Sequence, residues 1–250
     1  MKVKRITSRS NSTIKDIRKL LNRKGRSQQQ RYLIEGIRIV GTALEQKAPV
    51  TTLLFSPALL TSDFGKELVS DYGNRVGEVL EVSADVFSSF AQKEHPQGIA
   101  AVVQAKYAVI DDLEMQQDDV WVALDTIRDP GNLGTILRTL DAVGGCGVIL
   151  LDDCVDEFDP TAVRASMGAI FTQGIIHATS EEFADWKTKQ SMKIVGTSDH
   201  QGTYHYRELQ YTTPLVLLMG SERAGLPSEL IDLCDEMVFI PMFGSCDSLN

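Results

Sequence analysis

"LLMGSERAGLP", residues 217–227, ends an apolar run on a glycine, presents Ser221, Glu222 and Arg223 at once, and restarts at Gly225 and Pro227. A short apolar run, Leu215 to Met219, closed by glycine reads as a buried strand. Similar runs stand on either side of it: "VWVALD", "GVILLDD", "TQGIIHA", "KIVGTS" and "MVFIPM". Helical stretches such as "NLGTILRTLDAV" and "SELIDLCD" separate them. Strands that are nearly all apolar and alternate with helices predict an α/β fold with a parallel sheet covered on both faces. Ligands of such sheets bind beyond the carboxyl ends of the strands. The Ser-Glu-Arg cluster falls at such an end.

Working outward, residues 1–105 read as a smaller α/β domain. Its strands are "RYLIEG", "TTLLFS", "GEVLEVS" and "GIAAVVQA", with helices "IRIVGTALEQ", "FGKELVSDYG" and "ADVFSSFA" between them. "KYAVIDDLEMQQDD", residues 106–119, is polar and acidic in its second half and is expected to be a linker, leaving 120–250 as the second domain. Near the start, "SNSTIKDIRKLLNRKG" predicts one amphipathic helix. Ser12 or Thr13 can cap it, Ile14, Ile17 and Leu21 share a face, and Gly25 stops it. Lys15, Arg18, Lys19 and Arg23 occupy the other faces.

The 250 residues are 43% hydrophobic and 24% charged, the composition of an ordinary globular chain, and the net charge is −9. Net charge alone argues against a nucleic-acid partner, but its distribution does not. Residues 1–31 hold five Lys and six Arg against one Asp, a net of +10, while the remainder carries 14 basic and 33 acidic side chains. Such asymmetry predicts a basic arm with a polyanionic partner. The first residues lack an apolar h-region, and no run approaches the ~20 apolar residues that span a bilayer. The expectation is a cytoplasmic protein with no membrane partner. Cys146, Cys154, Cys234 and Cys246 are too far apart for a Cys-x-x-Cys site, and the four histidines show no ligand spacing, so reduced thiols and no metal are expected.

Three loops follow strand ends. "DTIRDPGNLGTILRTL" turns on Pro130 and Gly131, with Asn132 placed to cap the next helix. Leu133, Ile136, Leu137 and Leu140 form its buried stripe, leaving Thr135, Arg138 and Thr139 outward. "GSERAGLP" sets two glycines five apart around a Glu-Arg pair, a backbone that turns sharply and approaches a ligand closely. "FIPMFGSCDSLN" is a small-residue polar loop after an apolar strand. Each also has a plain structural reading: a capped helix with a solvated arginine, a helix start, a polar tail. "DPTAVRASMGAI" has small residues, Ala165, Ser166, Gly168 and Ala169, that allow close helix packing, the favoured reading, or close approach of RNA.

Taken together in this order, "NLGTILRT", "GSERAGL" and "IPMFGSCDSLN" resemble the three motifs of the SpoU (TrmH-like) RNA 2′-O-ribose methyltransferases, members of the trefoil-knotted SPOUT superfamily. "LIEGIRIVGTALE" and "HPQGIAAVV" resemble the ribosomal-protein-like substrate-binding domain that many members carry. The resemblance implies S-adenosylmethionine as cofactor, with Gly220, Ile240 and Leu249 at positions that line its pocket, joined by Thr197 and Ser248. It places Arg138 at the reacting 2′-hydroxyl, Asn132 and Glu222 where they position substrate, and Asn250 beside the RNA. It also implies a homodimer and structured RNA as substrate, ribosomal RNA ahead of transfer RNA, with the basic residues Lys15, Arg18, Lys19 and Arg23 on phosphates. Family members continue past the third motif into a helix that completes the knot. The sequence ends at Asn250, so the expectation is a domain lacking that terminal helix.

A non-catalytic RNA-binding or ribosome-assembly protein shares the basic segment and differs in binding no cofactor. A dinucleotide-dependent oxidoreductase would rest on "VGGCGV", which precedes a strand instead of following one, so that fingerprint fails.

Overall fold

The computed structural model describes residues 2–198, 203–221 and 224–244. It divides into two compact units, one of Met1–Lys106 with Phe158–Thr172, the other of Tyr107–Glu157 with Gln173–Asn250.

The first unit contains strands β1 (Val3–Ile6), β2 (Arg31–Glu35), β3 (Val50–Phe55), β4 (Glu78–Val82) and β5 (Ile99–Gln104). Its sheet runs in the order β1-β4-β3-β5-β2, the first three parallel and β5 antiparallel to both neighbours. Helices α1 (Ser12–Lys19), α2 (Arg23–Gln29), α3 (Ile37–Glu45), α4 (Asp63–Tyr72) and α5 (Ala84–Ser88) accompany it. Ile14, Ile17 and Leu20 join Leu54, Leu80 and Phe87 in one core, so α1 is an integral helix and not a free arm.

The single helix expected at 11–25 is two. Asn11, not Ser12 or Thr13, caps α1, its side chain accepting from the Thr13 N–H at 2.9 Å. Asn22 caps α2 by accepting from the Gly25 N–H at 2.9 Å, so Gly25 lies inside a helix instead of ending one. The reason for the glycine is contact: a Cβ there would lie 1.9 Å from the Lys19 carbonyl oxygen. Arg26 follows with only 3% of its surface exposed. It donates to the Leu20 carbonyl at 3.0 Å and lies 3.5 Å from the Asp159 carboxylate, the partner a buried cation requires.

The second unit begins inside the expected linker. β6 (Ala108–Val109) pairs with a later strand, Ile110 is buried, and the Leu113 carbonyl accepts from the Trp186 indole at 2.9 Å. Residues 106–119 therefore pack, for the most part, as the border of the second unit. Then come β7 (Val120–Asp125), α6 (Pro130–Val143) and β8 (Gly147–Leu151). The stretch that joins the first unit carries α7 (Pro160–Ala165), where Gly168 packs tightly, its absent Cβ only 2.7 Å from the Thr42 methyl. The chain returns as β9 (Gly174–Ala178), α8 (Ser180–Thr188), β10 (Lys193–Thr197), β11 (Tyr204–His205), β12 (Leu215–Met219), α9 (Ser228–Ile231) and β13 (Glu236–Phe239).

These strands form an all-parallel sheet in the order β11-β13-β10-β12-β7-β8-β9-β6. Trp121, Ala123, Ile149 and Leu151 point to one face, where Phe183 and Trp186 of α8 and Leu230 of α9 cover them. Among the described residues, no helix is long and apolar enough to cross a membrane, no cluster of His, Cys, Asp or Glu could hold a metal, and Cys146, Cys154 and Cys234 are free thiols.

Gly25 separates two physical effects. Helix propensity alone favours Gly25→Ala by about 1 kcal/mol, whereas the contact with Lys19 forces backbone movement that costs about 1–3 kcal/mol. The variant is expected to be the less stable protein in urea denaturation.

Candidate active site at the carboxyl edge of the second sheet

β13, β10, β12 and β7 are consecutive neighbours, and all run the same way. Met219 pairs with Leu124, Leu218 with Gly196, and Val238 with Thr197. The loops that start after Asp125, Thr197, Met219 and Phe239 therefore leave the sheet at one level. Three of them are the motif loops.

In the first loop Thr126 takes a left-handed backbone, φ +47°, which bends the chain away at the end of β7. Asp129, not Asn132, caps α6: its carboxylate accepts from the Asn132 N–H at 2.9 Å, and Pro130 fills the first helical position. Asn132 stands in the first turn. The stripe falls as expected, with Leu133, Leu137 and Leu140 buried and Ile136 half-buried. Thr135 and Thr139 turn their hydroxyls inward, onto the carbonyls of Gly131 at 2.8 Å and Thr135 at 2.9 Å. Arg138 is exposed beside them and has no ion pair or side-chain hydrogen bond among the described residues. Its guanidinium is available for a planar anion.

The second loop is closed between Ser221 and Gly225, mostly through backbone. The Gly225 N–H donates to the Ser221 carbonyl at 3.0 Å, and the two residues form an isolated antiparallel bridge. The Ala224 N–H donates to the Ser221 hydroxyl at 3.2 Å. Gly225 has φ +67°, open to glycine, and a Cβ on Gly220 would sit 2.2 Å from the Gly225 carbonyl carbon. A side chain at Gly220 would move the loop, while one at Gly225 would meet open space but hold a strained backbone. Glu222 and Arg223 lie outside the described residues.

The third loop leaves β13 with Ile240, Met242 and Phe243 exposed, Phe243 almost completely at 95%. Ser248, Leu249 and Asn250 lie outside the described residues. Thr197, half-buried at the end of β10, donates its hydroxyl to the Leu218 carbonyl of the neighbouring strand at 3.4 Å. The edge thus offers a glycine-shaped loop and a row of exposed apolar side chains, with the unpaired Arg138 guanidinium on the helix that starts from the first loop.

The basic residues belong to the first unit. Lys15 and Arg23 are exposed without an ion pair among the described residues. Lys19 is held by Asp16 at 2.8 Å, a hydrogen bond and charge that keep the Asp16 carboxyl below its ordinary value, and Arg18 donates to the Arg9 carbonyl at 2.6 Å.

Sequence reasoning passed over Asp125, whose side of the strand is invisible in a fully apolar run. It is 6% exposed, at the mouth of β7, with the Thr126 hydroxyl 3.1 Å away as donor. Burial raises its pKa above the usual carboxylate value, as do the nearby charges of Asp152 and Glu229, and the Thr126 hydrogen bond only partly opposes this. A raised carboxylate favours the folded state while protonated and loses that contribution as pH rises through its folded pKa. Asp125→Asn keeps an acceptor for Thr126 and carries no charge. It is expected to unfold at higher urea than the parent at about pH 8 and to show no gain near pH 3, the range below ordinary carboxylate titration.

The SpoU rRNA Methylase family pattern matches residues 119–250, and that of the MRM3-like substrate binding domain matches residues 11–101. The chain is 33% identical to a 23S rRNA (uridine(2479)-2'-O)-methyltransferase of Streptomyces viridochromogenes, over 99% of this chain and 87% of the relative. It is 29% identical to the 23S rRNA (guanosine(2553)-2'-O)-methyltransferase RlmP of Bacillus subtilis (strain 168), over 99% and 94%. Its structure superposes on the crystal structure of an AdoMet-bound rRNA methyltransferase from Sinorhizobium meliloti with a TM-score of 0.89 and 37% identity, covering 99% of this chain and 92% of that one. With three motif loops on one sheet edge, a family pattern over more than half its length and likeness to relatives from end to end, the chain belongs to the SpoU rRNA methylase family.

Proposed function

We propose that this protein transfers the methyl group of S-adenosylmethionine to a ribose 2′-hydroxyl of ribosomal RNA, of the 23S class on which its relatives act. The observation that carries the reading is the delivery of the three motif loops to one level by β7, β12 and β13. The residues present fit the cofactor. Gly220 and Gly225 leave backbone uncovered by side chains, and Ile240 with Met242 supplies an exposed apolar surface of the kind an adenine needs. In this reading Gly220, Ile240, Thr197, Ser248 and Leu249 hold it, and when bound it supplies an electrophilic sulfonium methyl.

The remaining chemistry belongs to side chains. A neutral ribose hydroxyl is a weak nucleophile and must be oriented while its proton leaves. Arg138 is no base, because a guanidinium stays charged below pH ~12. Instead it clamps an RNA phosphate through two parallel N–H donors and stabilises the oxyanion as it develops. The proton passes to a phosphate oxygen or to water. Asn132 and Glu222 orient the ribose, and Asn250 contacts RNA. Lys15 and Arg23 bind phosphates, with Arg18 and Lys19 adding less because intramolecular partners already hold them. The exposed Met242 and Phe243 support a homodimer that covers them.

The test is transfer of labelled methyl from S-adenosylmethionine to unmodified 23S rRNA, with transfer RNA as competitor and ribose 2′-O-methylation read by resistance to alkaline cleavage. Label on neither RNA would favour a non-catalytic binding protein. Arg138→Ala is expected to lower kcat roughly 100- to 1,000-fold, the cost of one preorganised donor. Arg138→Lys recovers only part of this, since an ammonium cannot grip a phosphate through two donors; a Lys variant with the parent rate and pH profile would refute the clamp. Gly220→Ala is expected to weaken S-adenosylmethionine binding by about 10-fold or more in calorimetry, the equivalent of ~1.4 kcal/mol of loop distortion.

A further inference from the structure

The first unit holds a cationic hollow that the motif loops do not use. Arg38 of α3, Lys93 before β5 and Arg164 of α7 border a cavity of about 220 Å³, with Glu35 and Gln97 in its wall. Arg38 and Gln97 also border a second cavity, of about 390 Å³, whose wall includes Ile37, Gly41 and Phe64. Phe64, a large apolar ring, is 51% exposed.

None of the three cations has a carboxylate partner among the described residues. Arg164 donates only to neutral oxygens, Gln92 Oε1 at 3.2 Å and Thr161 Oγ1 at 3.4 Å. Gly36, with φ +115°, makes the arrangement possible, since a Cβ there would fall 2.9 Å from Lys93 Nζ and 3.0 Å from Gln97 Oε1. Gln97 Oε1 accepts from the Ile37 N–H at 3.0 Å, which takes up the start of α3 and leaves recognition to side chains. Glu35 accepts from the Gln92 N–H with one carboxylate oxygen at 2.7 Å, while its other oxygen, Oε1, is buried without a hydrogen-bond partner. A buried acceptor with no donor is costly and invites one.

Three unpartnered cations suit a phosphodiester, an orphan acceptor suits an N–H or O–H donor, and an exposed ring beside a hollow suits a flat base. Duplex RNA offers phosphates and 2′-hydroxyls but keeps its bases stacked, whereas an unpaired nucleotide offers all three groups together. We infer that this hollow seats one unpaired nucleotide of the RNA substrate, its phosphate among Arg38, Lys93 and Arg164, its base on Phe64, and a sugar or base donor on Glu35. The inference rests on the RNA-substrate reading above and adds that the first unit selects a looped or bulged segment. Glu45, at the rim of the second cavity, sets a like-charge limit on how far the phosphate path extends along α3.

The test is fluorescence anisotropy of the full chain, without cofactor, against a labelled single-stranded oligoribonucleotide and a hairpin duplex of the same sequence. Arg38→Ala with Arg164→Ala is expected to weaken single-strand binding and to reduce the slope of log affinity against log salt by about 0.7 per cation removed. Phe64→Ala is expected to lower single-strand affinity roughly 5- to 100-fold with no change of slope, with Phe64→Tyr restoring it and duplex binding moving little. Lys66→Ala, which removes one cation held by Asp63 at 2.8 Å, serves as the equal-charge control for Arg38→Ala and for Arg164→Ala made singly. The inference is overturned if the Arg38 and Arg164 changes cost no more than Lys66→Ala, or if Phe64→Ala weakens single strand and duplex alike. Because no cofactor is present, a chain that binds in this way but never methylates removes the proposed function and leaves the hollow standing.

Discussion

In a parallel sheet every strand delivers its carboxyl end to the same edge, and β13, β10, β12 and β7 lie side by side in one register. That constraint brings the loops that begin at Thr126, Gly220 and Ile240 to one edge although the first and last are more than a hundred positions apart in sequence. Antiparallel neighbours would have split them between opposite edges. The sheet achieves it through strands buried on both faces, each an apolar run, so the requirement for a core and the requirement for a site are met by the same residues. Helix α8 shows what the covering layer contributes. Phe183 and Trp186 pack on the strands, and the Trp186 indole satisfies the Leu113 carbonyl of the entering segment.

Part of what stands on that edge is shaped by backbone contact. Ser221 and Gly225 close a loop on their own peptide groups, and the room for a Cβ at Gly220 is taken by the Gly225 carbonyl. Asp125 imposes the opposite kind of condition. Burial and two neighbouring acids disfavour ionisation of Asp125 at the mouth of β7, where Thr126 also takes a left-handed conformation. Both features sit where the first motif loop begins, and strain concentrated beside a candidate site is the expected place for it.

The sheet was legible because a strand covered on both faces leaves only one kind of residue to choose, and every apolar run from "VWVALD" to "MVFIPM" became a strand. Helix boundaries were less so. A cap is chosen by which side chain can reach a free N–H, and Ser12, Thr13 and Asn132 each had a rival, Asn11 or Asp129, a few positions earlier. Gly25 looked like a stop because glycine usually breaks helices, yet here a tertiary contact with Lys19 dictates it. β1 hid within a basic segment whose Lys4 and Arg5 read as charge rather than strand, and both pair with glutamates of β4, Glu78 and Glu81. α8 did carry a local signal, Thr179 and Glu182 forming a capping box. No local rule reveals that 158–172 packs with the first unit, since that follows from contacts such as Arg26 with Asp159 and Tyr32 stacked on Phe158.

The same contacts change the meaning of the basic segment. A count of +10 in residues 1–31 treats every cation as free, yet Lys4, Arg5, Arg9 and Lys19 have carboxylate partners and Arg26 is buried against Asp159. Exposed pairs of this kind contribute about 0–1 kcal/mol to stability, but each one lowers the positive field that a polyanion would meet. Among the described residues, the cations without a carboxylate partner are more dispersed than the sequence implies and include Lys15, Arg23 and Lys24 on the first two helices, Arg138 on α6, and Arg38, Lys93 and Arg164 around the hollow. Electrostatic recognition depends on such residual charge, not on composition, because counterions are released only where a cation is free to replace them. A chain of net charge −9 can therefore bind RNA through a handful of positions, and its acidity elsewhere discourages contact with any other part of its surface.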